Sequence, residues 1–258
     1  MRIHRAATAG RGLRDAYRER VVMGTFLIEL PTPRTIRALA LAGSDFVVLD
    51  LEHSPYALEA LGGLVSECHA CGLPALVRTW SLDPGMIGKV LDLGANGIMV
   101  PHVRHATDAA EAVRAAHYAP VGERGVAPLI GHRAAWDLDD DAGSSVLVVA
   151  QIEGAGAVAS ADEIASVPGV GAVFVGPYDL AQSLGDGHGV DSPGVLAACE
   201  AVAASCGEKA MLGIYVDDPA RSQDWGRRGF RLQCVGFDGR MLLDGASRVL
   251  NEARGGGA

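Results

Sequence analysis

Phe46-Val47-Val48-Leu49-Asp50-Leu51-Glu52-His53 is an apolar, β-type run that ends on two carboxylates and an imidazole. A buried strand does not stop on ionisable groups of this density unless that end lines a site. A second run, at 146–150, ends in Gln151-Ile152-Glu153, and a third, at 172–175, ends in Gly176-Pro177-Tyr178-Asp179. Three separate strands thus deliver polar groups at their C-terminal ends, the edge where parallel α/β folds bind ligands.

Outward from these three, the same short apolar pattern recurs at 22–28, 75–78, 97–100, 210–214 and 231–235. It is the pattern of strands buried on both faces. Runs with apolar residues at three- and four-residue spacing alternate with the strands, at 35–42, 58–71, 84–93, 107–116, 157–165, 193–207, 219–228 and 239–252. Several open on a cap and a first-turn proline, as in Asp83-Pro84, Ser192-Pro193 and Asp218-Pro219. Eight strand–helix units predict one closed (β/α)8 barrel, an α/β fold with a parallel sheet, spanning residues 1–258. A doubly wound open sheet is the alternative; no G-x-G-x-x-G follows the first strand and no P-loop occurs. Residues 1–20 read as an N-terminal arm whose Leu13 and Tyr17 make an amphipathic helix under the barrel, and 253–258 as a frayed tail. Residues 118–145 form one long irregular segment, with Asp137 to Asp141 as its solvated part. A long insertion on the βα side of a barrel is a candidate lid or substrate wall.

Composition narrows the function classes. A net charge of −9 argues against a nucleic-acid surface, and 49% hydrophobic residues suffice for a large core. No run of about 18 unbroken apolar residues suggests a membrane span, so a cytoplasmic protein is expected. Five cysteines without a secretory signal do not suggest a disulfide framework. Cys68-His69-Ala70-Cys71 has redox or half-zinc spacing but no second half, and packing on a helix is the preferred reading.

The strand ends carry the chemistry. Glu153 and Asp179 follow different strands and would share the top face, where two carboxylates suit a hard divalent ion such as Mg²⁺ or Mn²⁺. Two unrelated acids at helix N-termini would show the same spacing. Gln151 points to the same mouth as Glu153 by strand alternation. His53 is the best general acid or base, with Asp50 and Glu52 placed to orient it, and His102 and His105 as rivals. Arg78 ends the third strand, where a guanidinium grips a carboxylate or enolate, or pairs structurally with Asp50 or Glu52. Arg124 could act from the long segment, and the amides after Gly176-Pro177 could hold an anion. Lys89 and Lys209 are the only lysines. Lys89 falls within a helix and Lys209 before a strand, so neither suits Schiff-base chemistry and carbonyl activation falls to a metal.

These residues resemble the HpcH/HpaI aldolase family of metal-dependent (class II) 2-keto acid aldolases. Asp50-Leu51-Glu52-His53 is similar to its D-x-E-H motif, and Pro74-Ala75-Leu76-Val77-Arg78 to its P-x-x-V-R strand. Leu91-Asp92-Leu93-Gly94-Ala95 through Val100-Pro101 resembles its next helix and strand. Tyr118-Ala119-Pro120-Val121-Gly122-Glu123-Arg124-Gly125, Gln151-Ile152-Glu153 and Gly176-Pro177-Tyr178-Asp179-Leu180 follow in the family's order. The resemblance implies a carbon–carbon lyase that reversibly cleaves a 4-hydroxy-2-keto acid to pyruvate and an aldehyde through a metal-stabilised enolate. It implies that Glu153 and Asp179 hold Mg²⁺, Mn²⁺ or Co²⁺, that Arg78 stabilises the enolate oxygen, and that His53, supported by Asp92 or Asp50, handles the proton. Gln151, Glu52, Arg124, Gly176, Pro177 and Tyr178 would contact substrate. It also implies a homo-oligomer, a hexamer built as a trimer of dimers, with the last helix swapped onto a neighbour.

Two departures bear on the aldehyde half of the substrate. Gly24-Thr25-Phe26 stands where the family often has G-x-W, and 127–145 is short and lacks the usual basic, aromatic-rich pattern. Alternatives on the same scaffold are a decarboxylase or bond-forming enzyme of specialised metabolism, a citrate-lyase-like or malyl-CoA-type lyase, and a catalytically silent barrel.

Overall fold

The computed structural model describes residues 4–126, 146–187 and 189–255, with side chains from residue 12 onward. The expectations for Asp137 to Asp141, for the pattern at 127–145 and for the last three residues lie outside the described residues. Eight parallel strands close into a barrel in sequence order: β1 (Val22–Leu27), β2 (Phe46–Asp50), β3 (Ala75–Arg78), β4 (Gly97–Val100), β5 (Leu147–Ile152), β6 (Val170–Val175), β7 (Met211–Val216) and β8 (Leu232–Phe237). β1 pairs with β8 to complete the ring, which rules out the open sheet.

Helices fill the connections. They are α1 (His4–Glu19), α2 (Pro33–Leu41), α3 (Leu58–Cys71), α4 (Pro84–Asp92), α5 (Ala106–Ala116), α6 (Ala155–Ala159), α7 (Ala161–Ala165), α8 (Pro177–Leu184), α9 (Pro193–Cys206), α10 (Ser222–Arg227) and α11 (Asp238–Ala253). Cap chemistry sets several starts: Asp83 accepts the N–H groups of Gly85 and Met86, and Ser192 accepts that of Val195. α3 stops at Gly72, whose φ of 76° is a left-handed cap. α8 is absent from the periodicity reading, because Pro177-Tyr178-Asp179 looks like a turn until the strand before it delivers the chain into a helix. The expected helix at 157–165 is two short ones joined at Ser160.

Strand alternation sorts the core into two layers. Phe26, Phe46, Val48, Leu76, Met99, Val149 and Phe174 fill the barrel interior. Val47, Leu49, Val77, Ile98, Ala150 and Val175 face outward to the helices. Glycines leave room for the large rings inside: a Cβ on Gly24 would lie 2.6 Å from the Phe46 ring, and one on Gly213 2.5 Å from that of Phe174. α1 closes the bottom of the barrel, as its amphipathic pattern predicts. Leu13 is buried, Tyr17 Oη accepts from the Leu212 N–H at 2.9 Å, and Arg14 donates to the Val146 carbonyl at 3.1 Å. Cys68 packs in the outer core and Cys71 on its flank, and neither is in a disulfide.

The insertion after α5 leaves from the end of the barrel opposite to the one a βα-side lid needs. It follows a helix, not a strand, so it starts beside the strand N-termini. Its described part folds back on α5: Glu123 N–H donates to Arg114 O at 2.8 Å and Arg124 N–H to His117 O at 2.9 Å.

Candidate active site

Alternation carries inward-facing positions up to the mouth. On β2 the inward series Phe46, Val48 ends on Asp50; on β3, Leu76 is followed by Arg78; on β5, Leu147 and Val149 are followed by Gln151 and Glu153. These groups lie close together because adjacent strands end level, with Asp50 in register with Arg78.

Asp50 is 0% exposed and supports this rim. Its carboxylate accepts from Arg78 Nε at 2.7 Å and from the N–H groups of Glu52 at 3.1 Å and His53 at 3.2 Å. It therefore orients the backbone of the D-x-E-H turn and the guanidinium, not the imidazole. Arg78 Nη1 lies 3.1 Å from Glu52 Oε2. Burial works against the Arg78 charge, but the hydrogen bond to Asp50 and the charges of Asp50, Glu52 and Glu153 outweigh it and hold its pKa above the ordinary value. The paired-acid alternative for Arg78 is thus real, and the same side chain still lines the mouth cavity.

That cavity, about 180 Å³, is bounded by Phe26, Ile28, His53, Arg78, Gln151, Phe174, Gly176, Pro177, Tyr178, Asp179, Tyr215 and Phe237. The structure therefore brings His53, Arg78, Gln151, Gly176, Pro177, Tyr178 and Asp179 together from four separate segments. His53 is 58% exposed in its side chain, with Nε2 3.9 Å from Glu52 Oε2. Gly176 packs closely here: a Cβ there would lie 3.0 Å from both Gln151 Nε2 and Glu153 Oε2, which would have to give by a few tenths of an ångström. Next to it a second cavity of about 460 Å³ is lined by His102, Glu153 and Asp179 among others, so both expected metal acids border one space.

The donor set suits a divalent cation. Ligand atoms of Glu52, His102 and Glu153 all lie within 4.8 Å of one another. Glu153 Oε1 accepts from His102 N–H at 2.6 Å and lies 2.7 Å from His102 Nδ1, while Oε2 accepts from Gln151 Nε2. His102 Nε2 lies 3.2 Å from Glu52 Oε1. Burial, with the charges of Glu52 and Asp179 adding to it, pushes the Glu153 carboxyl up to about 7 despite His102. Gln151 Oε1 is buried with no hydrogen-bond partner. Crowded carboxylates, an orphaned amide oxygen and one imidazole are what a hard or borderline divalent ion satisfies.

Sequence reasoning weighed His102 only as a rival acid or base. Its place between Glu52 and Glu153 depends on a left-handed backbone, φ 54°, rare for a non-glycine residue. Asp238 was also missed. Its carboxylate accepts from the N–H groups of Ile28, Glu29 and Leu30 at 3.2, 3.1 and 2.7 Å, pinning the exit of β1 across the mouth.

Asp92 and Arg124 do not reach the rim of their own barrel. Asp92 ends α4, at the strand N-terminal side, and its carboxylate accepts from Arg124 Nη2 at 2.8 Å. Arg124 stacks on Tyr118, 4.8 Å from the ring centroid. Within one chain, then, Asp92 does not support His53. Both lysines are also away from the mouth, Lys209 paired with Asp162 and Lys89 on α4.

A family profile for HpcH/HpaI aldolase/citrate lyase matches residues 24–245. The chain is 33% identical to 2-dehydro-3,6-dideoxy-6-sulfogluconate aldolase of Pseudomonas putida over 92% of this chain and 94% of that one. It is 33% identical to a hydroxypyruvate/pyruvate aldolase of Paraburkholderia phytofirmans, covering 88% and 91%. The crystal structure of an HpcH/HpaI aldolase from Desulfitobacterium hafniense superposes with a TM-score of 0.86 at 30% identity, covering 94% and 96%.

Proposed function

Because this chain belongs to the HpcH/HpaI aldolase/citrate lyase family, we infer that it is an aldolase that cleaves a 4-hydroxy-2-keto acid reversibly to pyruvate and an aldehyde. The observation that supports this reading best is the convergence of His53, Arg78, Gln151 and Asp179 on one mouth cavity beside Glu153.

We assign the residues as follows. Glu153 and Asp179 are the carboxylate ligands of a divalent metal, with His102 and Glu52 beside them. A divalent ion held by these residues would supply Lewis acidity to the substrate carbonyl. The substrate carboxylate lies against the first turn of α8, where the N–H groups of Tyr178 and Asp179 have no helical acceptor. Arg78 commits Nε and Nη1 to Asp50 and Glu52 and presents the rest of its fork to the forming enolate oxygen. This positive charge is fixed before reaction begins, so its benefit grows as negative charge develops.

In cleavage, His53 accepts the 4-hydroxyl proton, directly or through a water. The C3–C4 bond breaks, its electron pair enters the enolate, and the aldehyde departs. Protonation at C3 then yields pyruvate. Addition runs the same steps backward.

The same proposal includes self-assembly and a cytoplasmic location. Leu242, Leu243, Val249 and Leu250 stand exposed on one side of α11, an apolar face that a second copy would cover and that supports a homo-oligomer such as the hexamer. No described helix is long and apolar enough to cross a membrane. The decisive assay is pyruvate release from a panel of 4-hydroxy-2-keto acids by chelator-treated protein, with and without Mg²⁺, Mn²⁺ or Co²⁺. Restoration by at least one metal is expected; full activity in chelator refutes the metal assignment. Light scattering in solution tests the oligomer, and a monomeric mass refutes it.

A further inference from the structure

Of the five Phe and five Tyr residues in the chain, Phe26, Phe174, Tyr178, Tyr215 and Phe237 line one side of the mouth cavity. Four of them are in ring-to-ring contact, and Phe237 lines the same cavity. Phe26 meets Phe174 edge to face at 6.2 Å between centroids, and Phe26 meets Tyr215 at 6.2 Å. Tyr215 meets Tyr178 at 5.8 Å. Ile28 and Pro177 extend the apolar surface. Phe26 and Phe174 are buried, whereas Tyr178, Tyr215 and Phe237 keep ring surface open.

The wall adjoins the reacting end directly. The Arg78 guanidinium lies 4.7 Å from the Phe26 ring centroid. For a keto acid held between Arg78 and the start of α8, these rings would be the adjoining apolar surface, open to the group on the attacked aldehyde carbon.

The wall itself carries no cationic side chain for a second anionic group. Among the described residues lining the cavity there is no lysine, and Arg78 is the one guanidinium, already bound to Asp50 and Glu52. The acid at the rim of the wall is Asp217, which accepts from Tyr215 Oη at 3.5 Å and would repel a carboxylate. Arg240 at α11 lies outside the cavity lining, in an exposed pair with Asp244 and within reach of the charge of Asp217. A charged substituent would lose its water against rings, while an aromatic or branched apolar one gains burial and ring contact.

We propose that the aldehyde partner is neutral and carries an aromatic or branched apolar group seated on the Phe26–Phe174–Tyr215–Tyr178–Phe237 wall. The substrate for cleavage is then a 4-hydroxy-2-keto acid with that group on C4. In the addition direction the enolate C3 forms the new bond to the aldehyde carbon, and the carbonyl π pair moves to oxygen, which takes the proton held at His53. This inference rests on the aldolase reading above.

The test uses the full-length protein with Mn²⁺ and pyruvate. Exchange of the pyruvate methyl protons in D₂O, without acceptor, reads enolate formation alone. The relative kcat/KM is then measured for benzaldehyde, 3-methylbutanal, glyceraldehyde and succinate semialdehyde. Benzaldehyde or 3-methylbutanal is expected to exceed succinate semialdehyde by at least about tenfold, the scale of one buried apolar contact. Tyr215→Arg is expected to shift that ratio at least about tenfold toward succinate semialdehyde by supplying the missing cation, while Tyr215→Phe keeps the wild-type order. Exchange with no preference among acceptors, or with succinate semialdehyde preferred, overturns this inference and leaves the aldolase reading intact. Absence of exchange with Mn²⁺, Mg²⁺ and Co²⁺ overturns both. The wild-type comparison decides the matter even if Tyr215→Arg does not fold.

Discussion

The rim from β2 to β5 and the rim from β6 through β8 to β1 are made by the same strand alternation, yet one ends in charge and the other in rings. On the first, Asp50, Arg78, Gln151 and Glu153 follow buried aliphatic residues; on the second, the inward positions near the top are Phe174, Tyr215 and Phe26. The charged half has Asp50, Arg78 and Glu153 held by hydrogen bonds and ion pairs before substrate arrives, and fixed charges are what an enolate needs. The aromatic half has area and few polar partners, which suits a surface that sorts substituents. The charged and aromatic halves meet where Arg78 stacks on Phe26, and Asp179 after β6 brings one acid to the border of the aromatic half.

The division can be broken at several points. The largest effect is expected from Glu153→Gln, which should lower pyruvate release by about 10³-fold or more, near 4 kcal/mol of transition-state stabilisation. Calorimetric titration with Mn²⁺ should show binding lost in parallel; unchanged binding would remove Glu153 from the metal. Arg78→Met leaves Asp50 charged and unpaired at 0% exposure, so urea unfolding should show about 3–5 kcal/mol of lost stability besides lost activity. Phe174→Ala opens a cavity in the other half. It should cost a comparable 3–5 kcal/mol or so but leave the Mn²⁺ dissociation constant within about twofold. A large change in metal affinity there would mean the halves are not separable.

Gly176→Ala sharpens the comparison at the seam. Its Cβ would press on Gln151 Nε2 and Glu153 Oε2, each 3.0 Å away, and displace the acid by a few tenths of an ångström. A drop of about tenfold in kcat/KM with little change in the urea midpoint is expected, since misplacement costs rate more than stability. The smallest effect belongs to the far end of the barrel. Lys209→Ala removes a solvent-exposed pair with Asp162 and should change stability by less than about 1 kcal/mol and activity not at all. A substantial activity loss would mean that this end is coupled to the site.

Much of the barrel was legible because its signals are local. β3 and β4 fall on the expected residues, and α3 does too, since short apolar runs and cap-to-glycine helices need no knowledge of neighbours. The site was partly legible for the same reason: a charged residue ending a buried strand is visible from the strand alone. His102 was not, because its role depends on a left-handed turn after β4 and on Glu52 and Glu153 arriving from β2 and β5. Nor was the end of the barrel from which the 118–145 segment starts. A mouth-facing segment is expected from its length, whereas its described start, at 118–126, leaves a helix at the other end of the barrel.

By itself the order of residues determined the eight-unit alternation, the polarity of each strand end and the lack of a lysine placed for imine chemistry, because each depends on residue type at short range. Only the tertiary structure decided which of those ends meet. Barrel closure brings β8 beside β1, sets Asp50 level with Arg78, gathers half of the Phe and Tyr residues on one side of the mouth, and leaves Asp92 and Arg124 at the opposite end. The reason is geometric. Alternation tells which way a side chain points from its own strand, but distance between strands is set by shear and closure of the whole sheet.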